Sequence, residues 1–363
     1  MKLVRLVLVL VVLRLFTGVM IAQEPYTETD LTIEMSDDWQ AAAKLTVPNT
    51  GEETYPTVIL IHGSGVWDMD AAYPDAEGNI ASQNFKLLAE RFADEGIATL
   101  RYNKRGVISY GEYDMAQANR GTIPTLIADA EAVLDAALAQ PTTGDVYLFG
   151  WSEGTWVASH LGANRDADVA GVILLAPPNA PIGEALQYQQ LEVSFGYIRD
   201  VVDADGDSML TFEEAEAIPS NTPVQLTSQF YVFAPAHTSE QPMFSPFSDI
   251  NRDGLLNLET ELKPTIERGL AMMNRTTDDL SRVISDVLAE TELPILLLHG
   301  ENDGYVPIGY SEQIAEALPQ QATLLSYEGV GHALSPAEIP AFDSFGVMID
   351  MPIADTITWI AAQ

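Results

Sequence analysis

The sequence predicts an α/β protein in which helices cover a mostly parallel central sheet. Short, continuously apolar runs recur along the chain, and segments with a helical pattern lie between them. Apolar runs without polar alternation are typical of strands that are buried on both faces. Strand, helix and strand in regular succession indicate parallel neighbours that are joined by helical crossovers.

The elements follow from these patterns in chain order. The predicted core strands are residues 57–61, 96–100, 145–149, 171–175, 294–298 and 322–325. The predicted helices between and after them are residues 82–94, 122–138, 154–161, 309–318 and 341–361. Strand-like residues 31–47 are expected to add an antiparallel edge to the sheet.

A long insertion separates two of the core strands. Residues 177–292 contain no strand candidate of the same kind, and their composition shifts towards acidic, proline-punctuated helix and loop. We expect this insertion to form a mainly helical lid. The core then consists of two parts, residues 23–176 and residues 293–363.

The N-terminal 22 residues have the layout of a secretory signal peptide. Lys2 and Arg5 precede an apolar stretch, residues 6–13, and the segment ends at Ala22 before polar residues. The alternative is an uncleaved membrane anchor, but Arg14 leaves fewer unbroken apolar residues than the ~20 that a span needs. The sequence therefore predicts a secreted or periplasmic protein without a stable membrane anchor after processing.

Composition excludes several classes of protein. Seventeen Lys and Arg against 53 Asp and Glu give a net charge of −36, which repels phosphate backbones and excludes nucleic-acid binding. The chain has no cysteine, so it has no disulfide, thiolate zinc site, iron–sulfur cluster or cysteine nucleophile. Any nucleophile must be an oxygen or a lysine nitrogen. No pattern in the sequence indicates an oligomer.

The most specific motif is Gly-Trp-Ser-Glu-Gly at residues 150–154, which follows a predicted strand and opens a predicted helix. A chain reversal this sharp leaves no room for side chains at the two glycine positions, and it holds the serine in a strained, exposed conformation. The hydroxyl of Ser152 then stands beside a helix N-terminus, whose dipole favours developing negative charge. The motif predicts that Ser152 is a nucleophile.

A serine hydroxyl needs a base, and the chain offers five histidines: His62, His160, His237, His299 and His332. His332 lies in a glycine-flanked loop after the last core strand, where its ring can reach the strand ends. Asp303 follows the preceding strand and completes the chain order Ser, Asp, His. It would orient His332 and stabilise the imidazolium. Glu301 is the competing acid.

A tetrahedral intermediate also needs two backbone N–H groups that point at its oxyanion. Glu153, after the nucleophile, would supply one. The other is expected from the His-Gly-Ser-Gly turn at residues 62–65, from Ser64 or alternatively from Gly65. We expect His62 itself to be structural.

These motifs resemble the α/β-hydrolase superfamily. Within it, the chain is similar to bacterial esterase and dienelactone-hydrolase-like or serine-peptidase-like members, which share the His-Gly-Ser-Gly-x-x-Asp loop at residues 62–68 and the Arg-Tyr-x-Lys-Arg-Gly segment at residues 101–106. The resemblance covers about residues 58–176 and 293 to the end. It implies the α/β-hydrolase fold and a serine hydrolase that acts on small-molecule esters.

Three basic residues cluster in the second of these segments, in a chain that is poor in positive charge: Arg101, Lys104 and Arg105. One interpretation is a subsite for a substrate carboxylate. The other is internal pairing with acidic residues, and the candidates are Asp68, Asp70 and Asp129.

The insertion contains a loop with the spacing of an EF-hand calcium site, residues 203–214. Its side-chain oxygens at positions 1, 3, 5 and 12, and the carbonyl at position 7, come from Asp203, Asp205, Asp207, Glu214 and Met209. Ser208 occupies the position where glycine normally makes the sharp turn. A predicted helix, residues 184–202, leads into this loop.

A second loop, residues 249–260, repeats the pattern with Gly254 in place. Its predicted ligands are Asp249, Asn251, Asp253 and the carbonyl of Leu255. It ends in Thr260, so the bidentate carboxylate is missing unless Glu261 or Glu259 reaches in. Pro242 and Pro246 disfavour a regular helix before it. Each loop has an apolar residue at position 8, which is the residue that pairs such loops.

The sequence thus predicts a secreted serine hydrolase that cleaves carboxylic esters through an acyl-enzyme, with no organic cofactor. One or two Ca²⁺ ions are expected to order the lid, and the first loop is the stronger site. The alternatives are a serine peptidase or acyltransferase with the same triad, and a non-catalytic calcium-binding protein of the same fold.

Overall fold

The computed structural model describes residues 24–75, 77–235, 243–276 and 283–363. The predicted signal peptide, His237 and Pro242 lie outside the described residues. Within them, no helix is both long enough and apolar enough to cross a lipid bilayer.

The described residues form a main sheet of eight strands. These are β1 (Tyr26–Glu34), β2 (Gln40–Pro48), β3 (Tyr55–Ile61), β4 (Ala98–Tyr102), β5 (Thr143–Trp151), β6 (Gly171–Leu175), β7 (Ile295–Gly300) and β8 (Ala322–Tyr327). Their order in the sheet is β1-β2-β4-β3-β5-β6-β7-β8. β2 runs antiparallel to both of its neighbours, β1 and β4, and the other neighbouring strands of this sheet are parallel. The predicted mostly parallel sheet with an antiparallel edge is confirmed.

The helices of the described residues are α1 (Asn84–Asp94), α2 (Met115–Ala118), α3 (Ile123–Leu138), α4 (Glu153–Asn164), α5 (Ile182–Gln187), α6 (Phe212–Ala215), α7 (Pro223–Tyr231), α8 (Lys263–Thr276), α9 (Ile284–Leu288), α10 (Gly309–Ala317) and α11 (Asp350–Ile360). Of these, α3, α4, α9 and α10 pack on one face of the sheet, and α1 and α11 pack on the other. Successive strand residues belong to different clusters of the core: Ile59 packs with α3 and α4, whereas Val58 packs with α1 and α11. This burial on both faces is the reason for the apolar runs.

The prediction of a helix over residues 341–361 is only half right. A short 3₁₀ turn, Pro340–Phe342, is followed by an extended loop, and α11 begins at Asp350. The loop departs from helix because the carboxylate of Asp343 accepts backbone hydrogen bonds from Gly304 and His332 in two other loops. Tertiary contacts override local helix propensity here.

The insertion between β6 and β7 builds its own small core. Two π-helical stretches, Tyr188–Phe195 and Ile198–Val202, continue α5, and a third, Leu258–Leu262, leads into α8. A two-stranded ladder pairs Met209–Leu210 with Leu256–Asn257. The other short ladders in the described residues join 72–74 to 80–83 and 107–109 to 112–113. Residues 182–202 are thus nearly continuous helix, which confirms the helix predicted before the first acidic loop.

A buried arginine connects the sheet edge to the core. Arg101 of β4 is 1 % exposed, and its guanidinium donates to Glu28 of β1 at 2.7 Å, to Thr46 of β2 at 2.7 Å and to Asp70 at 2.8 Å. A buried cation is tolerated only when such partners satisfy it. Arg101 therefore fixes the antiparallel strands to the parallel sheet.

Replacing Arg101 tests this role. We expect Arg101→Met to lower the free energy of unfolding by about 3 kcal/mol, because the variant leaves the buried hydroxyl of Thr46 and the partly buried carboxylates of Glu28 and Asp70 without their donor. The control is Arg91→Met, which removes a solvent-exposed pair with Asp350 and should cost less than about 1 kcal/mol. Urea unfolding followed by circular dichroism measures both. Equal losses in the two variants would contradict the role of Arg101.

Candidate active site

Ser152 lies on the sharp turn between β5, in the middle of the sheet, and α4. Its backbone has φ 54° and ψ −118°, a combination that costs a non-glycine residue strain energy and persists only where surrounding contacts impose it. One of those contacts is the hydrogen bond from the Ser152 N–H to the carbonyl of Leu175, at 2.8 Å. The serine is therefore held at the carboxyl edge of the sheet.

The two glycines around Ser152 are required by close backbone contacts. A Cβ atom on Gly150 would overlap the carbonyl group of Gly154. A Cβ atom on Gly154 would overlap the carbonyl oxygens of Ile61 and His62 at the end of β3. The turn, the helix and the neighbouring strand can approach each other this closely only because both positions lack a side chain.

Asp303 and His332 meet above the same edge, in the loops after β7 and β8. His332 Nδ1 donates to Asp303 Oδ2 at 2.7 Å, and both side chains are buried. The other carboxylate oxygen of Asp303 accepts the N–H groups of Tyr305 at 2.7 Å and Val306 at 2.8 Å. With Nδ1 donating to the carboxylate, Nε2 is left as the acceptor. His332 and Ser152 line the same cavity.

The charges of this pair stabilise each other. Burial alone would lower the pKa of His332, but the charge of Asp303 and its hydrogen bond outweigh burial, so the pKa lies above the usual value. Burial would raise the pKa of Asp303, but His332 and His299 hold it well below the usual range. Asp303 therefore stays ionised, and the imidazolium of His332 is favoured when it forms.

A second buried carboxylate, Asp343, was not predicted from the sequence. Its Oδ2 accepts the N–H of Gly304 at 2.9 Å and the N–H of His332 at 2.8 Å, so it ties the Asp303 loop to the His332 loop. Gly331 makes this possible, because a Cβ there would overlap the carboxylate. Burial, followed by repulsion from Asp303, raises the pKa of Asp343 to about 7.

Lys104 positions the first glycine-rich turn beside Ser152. Its ammonium donates to the carbonyl of Gly63 and to Oε1 of Glu153, both at 2.6 Å. In a trans peptide the C=O and the following N–H point in opposite directions. Because Lys104 holds the carbonyl of Gly63, the N–H of Ser64 points away from Lys104. Gly63 and Ser64 line the cavity with Ser152, whereas Gly65 lines a neighbouring one, which favours Ser64 over Gly65 as the donor.

The other two cations of that segment, Arg101 and Arg105, also donate to acceptors of the protein itself. Arg105 donates to Asp129 and Asp37, and Arg101 donates to Glu28 and Asp70. All these contacts lie outside the cavity, in agreement with internal pairing and against a carboxylate subsite.

The remaining candidates for the base and the acid bond other partners. His62 is buried, stacks on Phe85 and hydrogen-bonds the carbonyl of Tyr102, and burial lowers its pKa to about 3. His299 lies beside Asp303, with its Nε2 3.4 Å from Oδ2, but its ring nitrogens bond the carbonyl of Val306 and the hydroxyl of Ser311. His160 bonds within α4. Glu301 is exposed and accepts from Ser326.

The cavity itself is apolar and has a volume of about 250 Å³. The core contributes a wall of aromatic rings, formed by Trp67, Trp151, Tyr305 and Phe345. The insertion contributes Ile182, Ala185, Leu186, Gln189 and Leu226. Trp151 also donates its indole N–H to the carbonyl of His332 at 3.1 Å, which links the wall to the base.

The first acidic loop brings oxygen ligands together. Carboxylate oxygens of Asp203, Asp205 and Glu214 lie within 4.8 Å of one another. Asp207 accepts the N–H of Met209, the position 7 residue, at 2.7 Å. Ser208 takes the left-handed conformation expected of glycine, with φ 64°. These groups offer oxygen atoms alone, which are the ligands that a hard cation prefers.

The second loop has the same backbone conformation, with φ 80° at Gly254. Asp253 accepts the N–H of Leu255 at 2.9 Å, and Asn251 accepts the N–H of Asp253 at 2.8 Å. Asp249 and Glu261 are buried at its two ends.

Known proteins are similar to this chain in sequence and in fold. A model of the alpha/beta hydrolase family matches residues 58–341. The esterase EstD of Thermotoga maritima is 28 % identical over 166 residues, which are 46 % of this chain and 36 % of EstD. The bifunctional esterase/perhydrolase DCH of Acinetobacter calcoaceticus is 24 % identical over 192 residues, 51 % of this chain and 64 % of DCH. The matches span about one third and just under two thirds of these relatives.

Among solved structures, Est1E from Butyrivibrio proteoclasticus has a similar fold. Its TM-score is 0.51 at 17 % identity, and the superposition covers 92 % of this chain and 99 % of Est1E. At this identity the likeness concerns the fold alone.

The titration of His332 tests the electrostatics of the site. We expect its pKa, measured by NMR of the ring, to lie above about 6.5 in the wild type. In Asp343→Asn the pKa should fall, because one of the two carboxylates that favour the imidazolium has lost its charge. The amide oxygen of the variant can still accept from Gly304 and His332. An unchanged pKa in the variant, or a wild-type value below the ordinary one, would contradict this description.

Proposed function

The chain belongs to the alpha/beta hydrolase family, and from this premise we propose that it is a secreted serine hydrolase that cleaves small carboxylic esters. The observation that carries the proposal is the buried Asp303–His332 hydrogen bond, at 2.7 Å, over the cavity that strained Ser152 lines. The N-terminal segment 1–22 supports export, since its layout is that of a signal peptide. The matched relatives, EstD and DCH, are named as esterases.

In the first half of the reaction, Ser152 Oγ attacks the ester carbonyl carbon while its proton passes to His332 Nε2. Asp303 keeps the Nδ1–H tautomer and stabilises the imidazolium. The tetrahedral intermediate then expels the alcohol: the carbon–oxygen bond to the leaving group breaks, and His332 returns the proton to the departing oxygen. The acyl group remains as an ester on Ser152.

Water completes the cycle. It attacks the acyl-enzyme carbonyl, and His332 takes one of its protons. When the second tetrahedral intermediate collapses, the proton returns to Ser152 Oγ and the carboxylic acid leaves. No organic cofactor takes part in either half.

The oxyanion of each intermediate would be bound by the N–H groups of Glu153 and Ser64. Lys104 fixes both elements, because it bonds the carbonyl that precedes the Ser64 N–H and the side chain of Glu153. Donors that are fixed in advance need no reorganisation when the charge develops, and each is worth about 3–4 kcal/mol.

The cavity favours neutral, apolar acyl groups. Its walls are aromatic and aliphatic, and the three neighbouring cations do not line it but are paired with protein acceptors. A peptidase or acyltransferase could use the same triad, so esters and aminoacyl amides with the same acyl group should be assayed together. We expect turnover of the esters and little of the amides.

We also propose that Ca²⁺ binds the first acidic loop and orders the lid, residues 177–292. The loop begins where the helical segment 182–202 ends, and the other end of that segment lines the cavity. The convergent carboxylates of Asp203, Asp205 and Glu214 would repel one another without a cation. Calcium would therefore fix the helix that forms one side of the acyl pocket.

Removing the nucleophile tests the proposed chemistry. We expect Ser152→Ala to lower kcat/KM for short-chain esters by about 10⁴-fold or more. Ser159→Ala is the matched control, because Ser159 lies on α4 and, among the described residues, its hydroxyl bonds just the carbonyl of Thr155 in the same helix. Its activity should stay close to that of the wild type. Ester turnover that survives in purified Ser152→Ala would exclude Ser152 as the nucleophile.

Thermal unfolding tests the role of calcium. At about 100 times its dissociation constant, Ca²⁺ should stabilise the wild type by about 2.7 kcal/mol per site relative to protein in chelator. The stabilisation should fall in Glu214→Gln and persist in Glu213→Gln, which removes the adjacent charge. Identical melting curves with chelator and with Ca²⁺ would remove calcium from the mechanism.

A further inference from the structure

We infer that the second acidic loop is a second Ca²⁺ site, that its bidentate carboxylate is Glu261 instead of the twelfth loop residue, and that the two loops bind calcium as a coupled pair. This inference rests on the calcium role proposed for the first loop. It depends on a buried carboxylate oxygen, on the position of Glu261, and on the ladder between the loops.

The first residue of the second loop has a buried oxygen without a partner. The side chain of Asp249 is 8 % exposed. Its Oδ2 accepts the N–H of Gly254 across the loop, at 3.3 Å, so the carboxylate is turned into the loop. Its Oδ1 has no hydrogen-bond partner in the part of the chain that the structure describes. An unpaired buried carboxylate oxygen is costly, and a bound cation in the loop would satisfy it.

In the first loop, the carboxylate at position 12 bonds the backbone at both ends of the loop. Glu214 Oε1 accepts the N–H of Ala204, at position 2, at 3.2 Å. Its Oε2 accepts the N–H of Thr211, at position 9, at 2.9 Å. The carboxylate thus spans the loop from its beginning to its end, where a bidentate calcium ligand is needed.

Glu261 makes the same two contacts in the second loop. Its Oε1 accepts the N–H of Ile250, at position 2, at 3.3 Å, and its Oε2 accepts the N–H of Asn257, at position 9, at 3.0 Å. The residue at position 12 is Thr260, which cannot act as a bidentate ligand. Glu261 therefore occupies the place of the missing acid, although it is thirteenth in the loop.

A π-helical turn explains the displacement. Residues Leu258–Leu262 form a π-helix, which takes up more residues per turn than an α-helix. The corresponding residues of the first loop begin an α-helix, α6. The extra residue brings position 13 to the place that position 12 occupies in the first loop. Glu259 does not make these contacts. Its Oε2 lies 3.8 Å from Lys263 Nζ, and both side chains are exposed.

The ladder between the loops provides the coupling. Leu210 and Leu256, both at position 8, are directly opposite in an antiparallel pair, and both are completely buried. The N–H of Leu258 also donates to the carbonyl of Ser208 at 3.0 Å. Ordering one loop therefore fixes part of the backbone of the other, so the second ion binds to a partly ordered site.

Calorimetric titration of the chelator-treated, full-length protein with Ca²⁺ tests the inference. We expect two ions per chain in the wild type and one in Glu261→Gln, with the remaining affinity reduced about 5-fold or more because the coupling is lost. The matched control is Glu259→Gln, which removes the same charge two residues away and should still bind two. Asp249→Asn should lose the same ion as Glu261→Gln, which provides a second test if one variant folds poorly.

The outcomes separate this inference from the proposed role of the first loop. One ion per chain in the wild type, lost in Glu214→Gln and unaffected by Glu261→Gln, would overturn the second site and leave the first. Loss of an ion in Glu259→Gln but not in Glu261→Gln would overturn the assignment of the ligand. Binding of no Ca²⁺ by the wild type would overturn both proposals, whatever its esterase activity.

Discussion

The hydrogen bond from His332 Nδ1 to Asp303 Oδ2 joins two loops that follow neighbouring strands of the sheet. The rest of the site depends on it, because it fixes the tautomer of His332 and stabilises the imidazolium. The surrounding contacts maintain this geometry: Asp343 holds the backbones of both loops, and two N–H groups hold Asp303. Burial strengthens the charge interactions of this site. The carboxylates of Asp303 and Asp343 lie near one imidazole in a poorly solvated region, and their repulsion raises the pKa of Asp343.

The insertion connects the acidic loops to the cavity beside Ser152. One end of its helical segment lines the acyl cavity, and the other end leads into the first acidic loop. Its own core, which includes Leu210 and Leu256, holds the two loops against each other. Under the calcium proposal, carboxylates that repel one another in the absence of the ion would hold the loop rigid in its presence. If calcium binds as proposed, the cavity wall and the acidic loops are parts of one helical unit, and calcium binding would be linked to substrate selection through it.

The sequence predicted those features that depend on short stretches of chain. The turn at Ser152 could be predicted because its motif is five consecutive residues and the steric conflict at Gly150 is with Gly154 and Thr155 in the same turn. The core strands could be predicted because burial on both faces leaves a continuous apolar run. Asp343 could not be predicted, since its partners lie 11 and 39 residues away and its own segment has a helical pattern. The same holds for Lys104, 41 residues from the carbonyl of Gly63. Loop spacing alone left Glu259 and Glu261 as alternatives, because it does not reveal a π-helical turn.

The reactivity of Ser152 tests the central claim most directly. The protein would be treated with a fluorophosphonate, digested, and analysed by mass spectrometry to locate the adduct and its rate of formation. Only a serine activated by a neighbouring base reacts quickly. We expect one adduct, on Ser152, that forms far more slowly in Asp303→Asn, because the variant no longer enforces the reactive tautomer of His332. An adduct on another residue, or an equal rate in the variant, would contradict the account.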